Sequence, residues 1–147
     1  MRPAALTRGE EETEAFGEAL AAELSPKDVV YLVGNLGAGK TCLARGVARG
    51  LGAVVREVAS PTFAILHEYG GPKGTILLRH LDLYRLRDRA ADLEILGLPE
   101  SLVGAPVVVE WPGEAIRETL PPTIEIRIEA SPDGGRRIFV RRCPAGD

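Results

Sequence analysis

The chain has 147 residues, a formal net charge of -3 and an ordinary hydrophobic fraction of 45%. This length favours one domain over residues 1–147, and the slight acidity argues against a protein that coats nucleic acid by charge. The chain has no apolar run of 18 residues and no apolar signal region at its N-terminus, so we expect a cytoplasmic protein without a membrane partner. Cys42 and Cys143 are far apart and lack metal-binding spacing.

The first predicted element is a helix. "TRGE" (Thr7 to Glu10) has the spacing of a capping box, in which a hydroxyl and a carboxylate satisfy the first helical N–H groups. Phe16, Leu20 and Leu24 follow at four-residue steps, as on one face of a helix, and "SPKD" ends the pattern.

A mixed sheet is predicted by the segments that follow. The apolar run "VVYLV" (Val29 to Val33) is typical of a strand buried on both faces. A glycine-rich loop then leads to a predicted helix from Lys40 to Leu51. Further strands are predicted at "AILHEY", "TILLRHLD" and "VVVE", short helical pieces at "RAADLEILGLPESL", and a half-exposed hairpin at "TIEIRIE" and "RRIFVRR". The pattern indicates an α/β fold with buried parallel strands centrally and antiparallel hairpins at the edges.

The loop between strand and helix carries the clearest motif. Gly34, Gly39, Lys40 and Thr41 satisfy G-x-x-x-x-G-K-[ST], in the strand-to-helix context that this motif requires. The glycines let backbone N–H groups converge on phosphate, Lys40 adds a positive charge, and the Thr41 hydroxyl is a ligand for Mg²⁺. The nucleotide is therefore expected on Leu36, Gly37, Ala38, Gly39, Lys40 and Thr41.

Two carboxylates end predicted strands, where ligands of open α/β sheets bind. Asp82 closes "TILLRHLD" and is the natural Walker-B-like metal residue; Glu110 closes "VVVE" and could complete the metal shell or polarise the attacking water. The alternative for each is a solvated charge at a strand end. Because the chain has no glutamine, water cannot be oriented as in Ras-type GTPases, which adds weight to Glu110 and, as a minor candidate, to His80. Lys40, Asp82 and Glu110 are the predicted catalytic residues, and Thr41, Asp82 and Glu110 the predicted metal ligands.

Three further features have two interpretations each. Thr62 in "SPTF" lies where a switch-like loop could offer its hydroxyl, although the residues alone favour a plain turn. The arginines of "DLYRLRDR" could neutralise transition-state charge or form a solvated basic face. Trp111 could pack near the site or anchor an interface.

The motifs "GNLGAGKT", "SPTF", "HLDLYRL" and "EWP", in this order and in a chain of this size, resemble the TsaE family, formerly YjeE, of tRNA threonylcarbamoyladenosine synthesis. The resemblance covers about Thr13 to Pro112. It implies a P-loop NTPase-like three-layer sandwich, Mg²⁺ as cofactor, ATP as substrate, and weak intrinsic hydrolysis. Because the chain has no glutamine and no arginine obviously fixed at the site, we expect partners to stimulate this hydrolysis. The resemblance also implies action with the TsaD and TsaB proteins at adenosine 37 of tRNA. Because the chain is acidic, we expect it to contact tRNA only through that complex.

The resemblance assigns further residues to the nucleotide. Thr62 falls in the family's switch-like loop. Cys42 stands where the family usually has a second threonine near the α-phosphate, so a backbone N–H remains but the hydroxyl is lost. Adenine contacts are expected around Glu10 and Thr13, and Arg137 or its neighbour Arg136 is expected to reach the nucleotide.

Three other functions are considered for a chain with this glycine-rich loop. A small-molecule P-loop kinase is the main alternative, with "YRLRDR" as an arginine-bearing lid. A GTPase is disfavoured because the one asparagine, Asn35, lies in the loop and cannot form a guanine-reading Asn-Lys-x-Asp motif. A scaffold that uses ATP only to set its shape is the third possibility.

Overall fold

A computed structural model describes residues 2–35, 37, 39–54, 57–59, 66–84 and 102–144. Three α-helices are present in these ranges, α1 (Glu10–Ala21), α2 (Lys40–Gly50) and α3 (Glu114–Thr119), with a 3-10 turn at Pro72–Gly74. The strands in the same ranges are β1 (Ala5–Thr7), β2 (Val29–Val33), β3 (Glu57–Ala59), β4 (Leu66–Gly70), β5 (Ile76–Asp82), β6 (Val107–Glu110), β7 (Ile124–Ala130) and β8 (Arg136–Arg142).

The strands form one sheet in the order β1-β8-β7-β2-β6-β5-β4-β3. The four central strands are parallel, since β2 pairs with β6 and β7, and β6 pairs with β5. The outer strands are antiparallel, β8 and β1 at one edge and β4 and β3 at the other. This arrangement confirms the predicted α/β fold with central parallel strands and antiparallel edge hairpins.

The sheet is covered on both faces, as a three-layer sandwich requires. Val30 and Leu32 of β2 belong to a buried cluster that includes Leu20 of α1 and Leu43 of α2. The alternate residues of β2 face the other way, where Tyr31 packs in a second cluster with Val29, Val107, Val109 and Ile116 of α3. Successive side chains of a strand point to opposite faces of the sheet. An unbroken apolar run such as β2 therefore contributes side chains to the buried clusters on both faces.

Helices α1 and α2 pack together unusually closely because glycines lie at their contact. A Cβ atom added to Gly46 would lie 2.1 Å from the backbone oxygen of Glu14, and one added to Gly17 would lie 2.3 Å from that of Leu43. The Glu14 carboxylate bridges Arg45 at 3.3 Å and Arg49 at 2.8 Å on the neighbouring helix. The glycine contact thus holds the start of α1 beside the glycine-rich loop.

The predicted capping box at Thr7 to Glu10 is wrong. Thr7 lies in β1, and its buried hydroxyl shares a 2.8 Å hydrogen bond with the hydroxyl of Thr13. Helix α1 instead begins after Gly9, and the Glu12 carboxylate accepts the N–H of Arg8 at 3.0 Å. The short strand β1 takes Thr7 because it pairs with β8, a contact between distant parts of the chain that local spacing does not reveal.

Other boundaries agree with the pattern to within a few residues. Strands β2, β6 and β8 have the predicted limits, whereas β1, β3 and α3 were not predicted. The helical pieces expected over "RAADLEILGLPES" lie outside the described residues. Within the described ranges, no helix combines the length and apolar character needed to cross a bilayer.

Candidate nucleotide site

The glycine-rich loop leads into α2 through left-handed backbone. Gly37 has φ +80° and Gly39, the residue before the helix, has φ +107°, values that residues with a Cβ rarely adopt. The N–H of Leu43 makes a 3.0 Å bond to the carbonyl of Gly39, the first within the helix. The earlier N–H groups at the helix N-terminus have no intrahelical acceptor, and such groups, together with the helix dipole, favour the binding of an anion.

Lys40 is 5% exposed and lies against this loop. Its Nζ donates to the carbonyl of Gly34 and, at 3.3 Å, to that of Asn35. The same Nζ lies 3.6 Å from the centre of the Trp111 ring, a cation–π contact. Burial lowers the pKa of Lys40, while the nearby Glu110 and Asp82 act in the opposite direction. Within the described residues, the Nζ of Lys40 makes its close contacts with two carbonyls and a ring, and it could exchange these partners for phosphate oxygens.

The two predicted acidic residues lie side by side at the carboxyl ends of β5 and β6. Asp82 is paired with Glu110 in the strand register, and the Thr41 hydroxyl is 3.5 Å from Glu110 Oε2. The environments of the two carboxylates differ, because Asp82 is exposed and accepts the Tyr84 N–H at 3.1 Å, whereas Glu110 is 4% exposed. The structure therefore brings together Lys40, Thr41, Asp82 and Glu110.

These oxygen groups suit Mg²⁺, which prefers hard oxygen ligands and binds through one or two carboxylates together with water and phosphate. No group of three or more His, Cys, Asp or Glu side chains able to hold a metal occurs among the described residues. A metal ion at this position would consequently use the Thr41 hydroxyl and a carboxylate, and would need nucleotide oxygens to complete its shell.

His80, a minor candidate in the sequence, contacts one of the two carboxylates. It is 4% exposed on β5, and its Nε2 lies 2.5 Å from Glu110 Oε2. The useful signal was its two-residue spacing from Asp82, since alternate residues at the end of a strand share a face.

A cavity of about 160 Å³ lies between the first turn of α1, the loop and the β7–β8 turn. Glu10, Thr13, Gly39, Cys42 and Arg136 are among its lining residues. The Cys42 thiol donates to the backbone oxygen of Glu10 at 3.2 Å, and burial raises its pKa. The predicted nucleotide residues Glu10, Thr13 and Cys42 are thus brought together.

The two candidate arginines of β8 are adjacent in the strand, so their side chains lie on opposite faces of the sheet. Arg136 lines the cavity and donates to the carbonyl of Gly37 at 3.0 Å. Arg137 does not line it; its guanidinium lies 3.7 Å from the Glu129 carboxylate on β7. The geometry therefore favours Arg136 over Arg137 as a nucleotide contact, because adjacent strand residues point to opposite faces. The other candidates Leu36, Ala38, Thr62, Arg85, Arg87 and Arg89 lie outside the described residues.

The comparisons with known proteins agree with this geometry. Residues 7–138 match the family model described as "Threonylcarbamoyl adenosine biosynthesis protein TsaE". The chain belongs to the TsaE family. It is 44% identical over 130 residues to the tRNA threonylcarbamoyladenosine biosynthesis protein TsaE of Bacillus subtilis, covering 87% of this chain and 78% of the relative. It is 38% identical to the protein of that name from Treponema pallidum, covering 92% of this chain and 97% of the relative.

A solved structure shows the same fold. The structure titled "Crystal structure of Bacillus subtilus YdiB" superposes with a TM-score of 0.70 at 36% identity, covering 95% of this chain and 84% of that one. The loop, both carboxylates, His80 and Arg136 all fall within the part of the chain that the family model matches. The family resemblance carried by four short motifs is thereby confirmed over most of the chain.

Proposed function

We propose that this protein is a Mg²⁺-dependent ATPase that acts with the TsaB–TsaD pair in threonylcarbamoyladenosine modification of tRNA at adenosine 37. One observation carries the proposal: the Thr41 hydroxyl lies 3.5 Å from the buried carboxylate of Glu110, at the N-terminus of a helix that follows a glycine-rich loop. Family membership supplies the pathway.

Triphosphate binding would exploit the backbone of the loop and Lys40. The anion would occupy the unpaired N–H groups at the start of α2. Lys40 would then leave the carbonyls of Gly34 and Asn35 and turn towards phosphate, which is a stronger partner because that bond joins two charges.

The metal would be held by Thr41 together with Glu110 or Asp82, and when bound it neutralises charge on the phosphates. Because Asp82 is exposed, its carboxylate can accept hydrogen bonds from water molecules bound to the metal. Glu110, being buried, is the better group to orient the attacking water and accept its proton.

The adenosine would extend towards the cavity beside Thr13 and Cys42. Arg136 contacts the loop carbonyl of Gly37 there and can reach a ribose or phosphate oxygen once the nucleotide enters. Cys42 offers its backbone N–H, but its thiol is a weaker hydrogen-bond donor than a hydroxyl.

Hydrolysis by the isolated protein should be slow. Fast phosphoryl transfer requires a positioned water and an added cation at the γ-phosphate. The chain has no glutamine, and within the described residues the ion pairs of Glu110 include no arginine. Docking onto TsaB–TsaD would complete the site. With a net charge of -3, the protein itself has little attraction for tRNA, which would enter through the partners.

The proposal is tested by reconstitution of the modification with purified TsaB, TsaD and tRNA, with wild-type protein, with Lys40→Ala or with no addition. We expect repeated rounds of modification, and stimulated ATP hydrolysis, only with the wild-type protein. Equal repeated modification in all three reactions would contradict the assigned role. The kinase alternative predicts phosphate transfer to an added small acceptor, so phosphate released as the free ion without an acceptor favours the ATPase.

A further inference from the structure

The buried carboxylate of Glu110 has a second partner besides Thr41, the buried side chain of His80. His80 Nε2 lies 2.5 Å from Glu110 Oε2, and the two side chains are each 5% exposed. Burial of a carboxylate is costly unless hydrogen bonds replace its water, and the described residues supply two such bonds to Glu110, from His80 and Thr41. His80 makes the shorter of the two.

Both contacts use the same oxygen. Oε2 accepts from His80 and from the Thr41 hydroxyl, and neither contact involves Oε1. If Thr41 turns to a metal ion, as the proposed function requires, His80 is the described side chain that still fixes the carboxylate. It thereby decides which oxygen is presented to the attacking water.

The surroundings of His80 define its tautomer. A carboxylate oxygen is an acceptor, so Nε2 must carry the proton. Nδ1 is buried, and among the described residues it has no hydrogen-bond partner. The ring packs between its neighbours on β4, 5.9 Å from the ring of His67 and 6.5 Å from that of Tyr69, which fixes its orientation.

We propose that His80 is a positioning residue for the ATPase reaction: its Nε2–H holds the Glu110 carboxylate in the orientation that activates water. This inference rests on the proposed function, because it assigns a partner to the same site. It predicts an effect on turnover with little effect on nucleotide affinity, since within the described residues His80 makes its hydrogen bond to Glu110 and does not line the cavity.

The first test uses matched substitutions. His80→Gln places an amide N–H near the original Nε2, His80→Asn carries the same amide one methylene shorter, and His80→Leu has no donor. We expect His80→Gln to retain much of the wild-type kcat, and His80→Asn and His80→Leu to lose about tenfold or more, the effect of one hydrogen bond to a charged group. The Kd for ADP should change by less than about threefold in all variants that keep the wild-type melting temperature.

A double-mutant cycle measures whether the effects of His80 and Glu110 substitutions on kcat are coupled, which a purely structural role of His80 does not predict. In a Glu110→Gln background, His80→Leu should cause no further loss of kcat, because the group through which it acts is already altered. Additive losses, or equal kcat for His80→Gln and His80→Leu, would overturn the proposal.

The second test does not depend on activity. The chain has two histidines, so the spectrum of protein labelled with ¹⁵N-histidine is simple, and a His67→Gln variant assigns it. We expect His80 to carry its proton on Nε2, with a downfield proton signal that moves in Glu110→Gln. A ring that carries its proton on Nδ1 and not on Nε2, or signals unaffected by Glu110→Gln, would overturn the positioning role. If these NMR signatures are present but ATP hydrolysis is absent, the proposed function is contradicted, whereas the hydrogen bond by which His80 orients Glu110 still stands.

Discussion

Lys40 lies with its Nζ 3.6 Å from the centre of the Trp111 ring, so the cation of the glycine-rich loop and the chain's single tryptophan are in direct contact. Trp111 reaches this position with φ +58°, a left-handed backbone that costs roughly 1–3 kcal/mol in a residue with a Cβ. Its ring also meets Tyr84 edge-on, with centroids 4.9 Å apart. Strain of this kind is common at ligand-binding sites.

This contact predicts an optical signal for nucleotide binding. When Mg-ATP draws Lys40 away from the ring, Trp111 fluorescence should change in intensity and saturate with the binding isotherm. Lys40→Ala should already have altered emission and should show little response to ATP, whereas Lys27→Ala, an exposed lysine, should respond as wild type does. An unchanged ATP response in Lys40→Ala would show that Lys40 does not transmit the signal.

The carboxylates Asp82 and Glu110 should have separable functions, because one is exposed and the other buried. Glu110→Gln is expected to lower ATP turnover by about 10²-fold or more while leaving the nucleotide Kd within about threefold. Asp82→Asn should weaken the Mg²⁺ dependence of nucleotide binding.

Calorimetry with and without Mg²⁺ measures the effect on nucleotide binding, and steady-state hydrolysis measures the effect on turnover. Glu114→Gln, on the exposed start of α3, is the control for both. Equal hydrolysis by wild type and Glu110→Gln would remove Glu110 from the reaction.

The close packing of α1 on α2 predicts an intolerant glycine. Gly46→Ala would place a Cβ 2.1 Å from the Glu14 carbonyl oxygen, so the helices must separate. We expect a loss of about 1–3 kcal/mol in the free energy of unfolding, measured with urea. Weaker nucleotide binding should accompany it, since Thr13 and Glu10 move with α1. Gly9→Ala, whose added Cβ meets no atom within 4 Å, is the matched control for stability. A stable Gly46→Ala variant would show that the helices can repack.

The same helix pair predicts a dependence of stability on pH. Burial acts to raise the pKa of Glu14, but Arg49 and Arg45 together outweigh it and lower that pKa. A lowered pKa in the folded state means stabilisation that is present above the pKa of the unfolded chain, about 4.3 for glutamate, and is lost as the pH falls through the lower folded value. Glu14→Gln should therefore be less stable than wild type at pH 7, and the difference should shrink below about pH 4.

Urea unfolding at several pH values measures this difference. Glu11→Gln, exposed in the first turn of α1, serves as the control and should show little change. A Glu14→Gln difference that stays constant from pH 7 to pH 3 would mean that the ion pairs with α2 do not contribute to stability.

Much of the site could be predicted because its signals are local. The loop motif depends on residues 34–41, and both carboxylates end strands whose apolar character is visible in the sequence. Strands β2, β5 and β6 then bring Lys40, Asp82 and Glu110 to one edge, as parallel strands must. The capping box failed for the opposite reason: Thr7 has a distant partner, β8, and a tertiary contact outweighed a local preference.

The sequence by itself determined the fold class, the position of the glycine-rich loop and the two acidic residues at the strand ends, because hydrophobic periodicity and a contiguous motif need no knowledge of distant contacts. Only the tertiary structure selected Arg136 over Arg137 and joined His80 to Glu110. The face on which an arginine lies depends on the register between β7 and β8, and the partner of His80 lies 30 residues away on another strand. Strand pairing sets both relationships, and no short stretch of sequence encodes it.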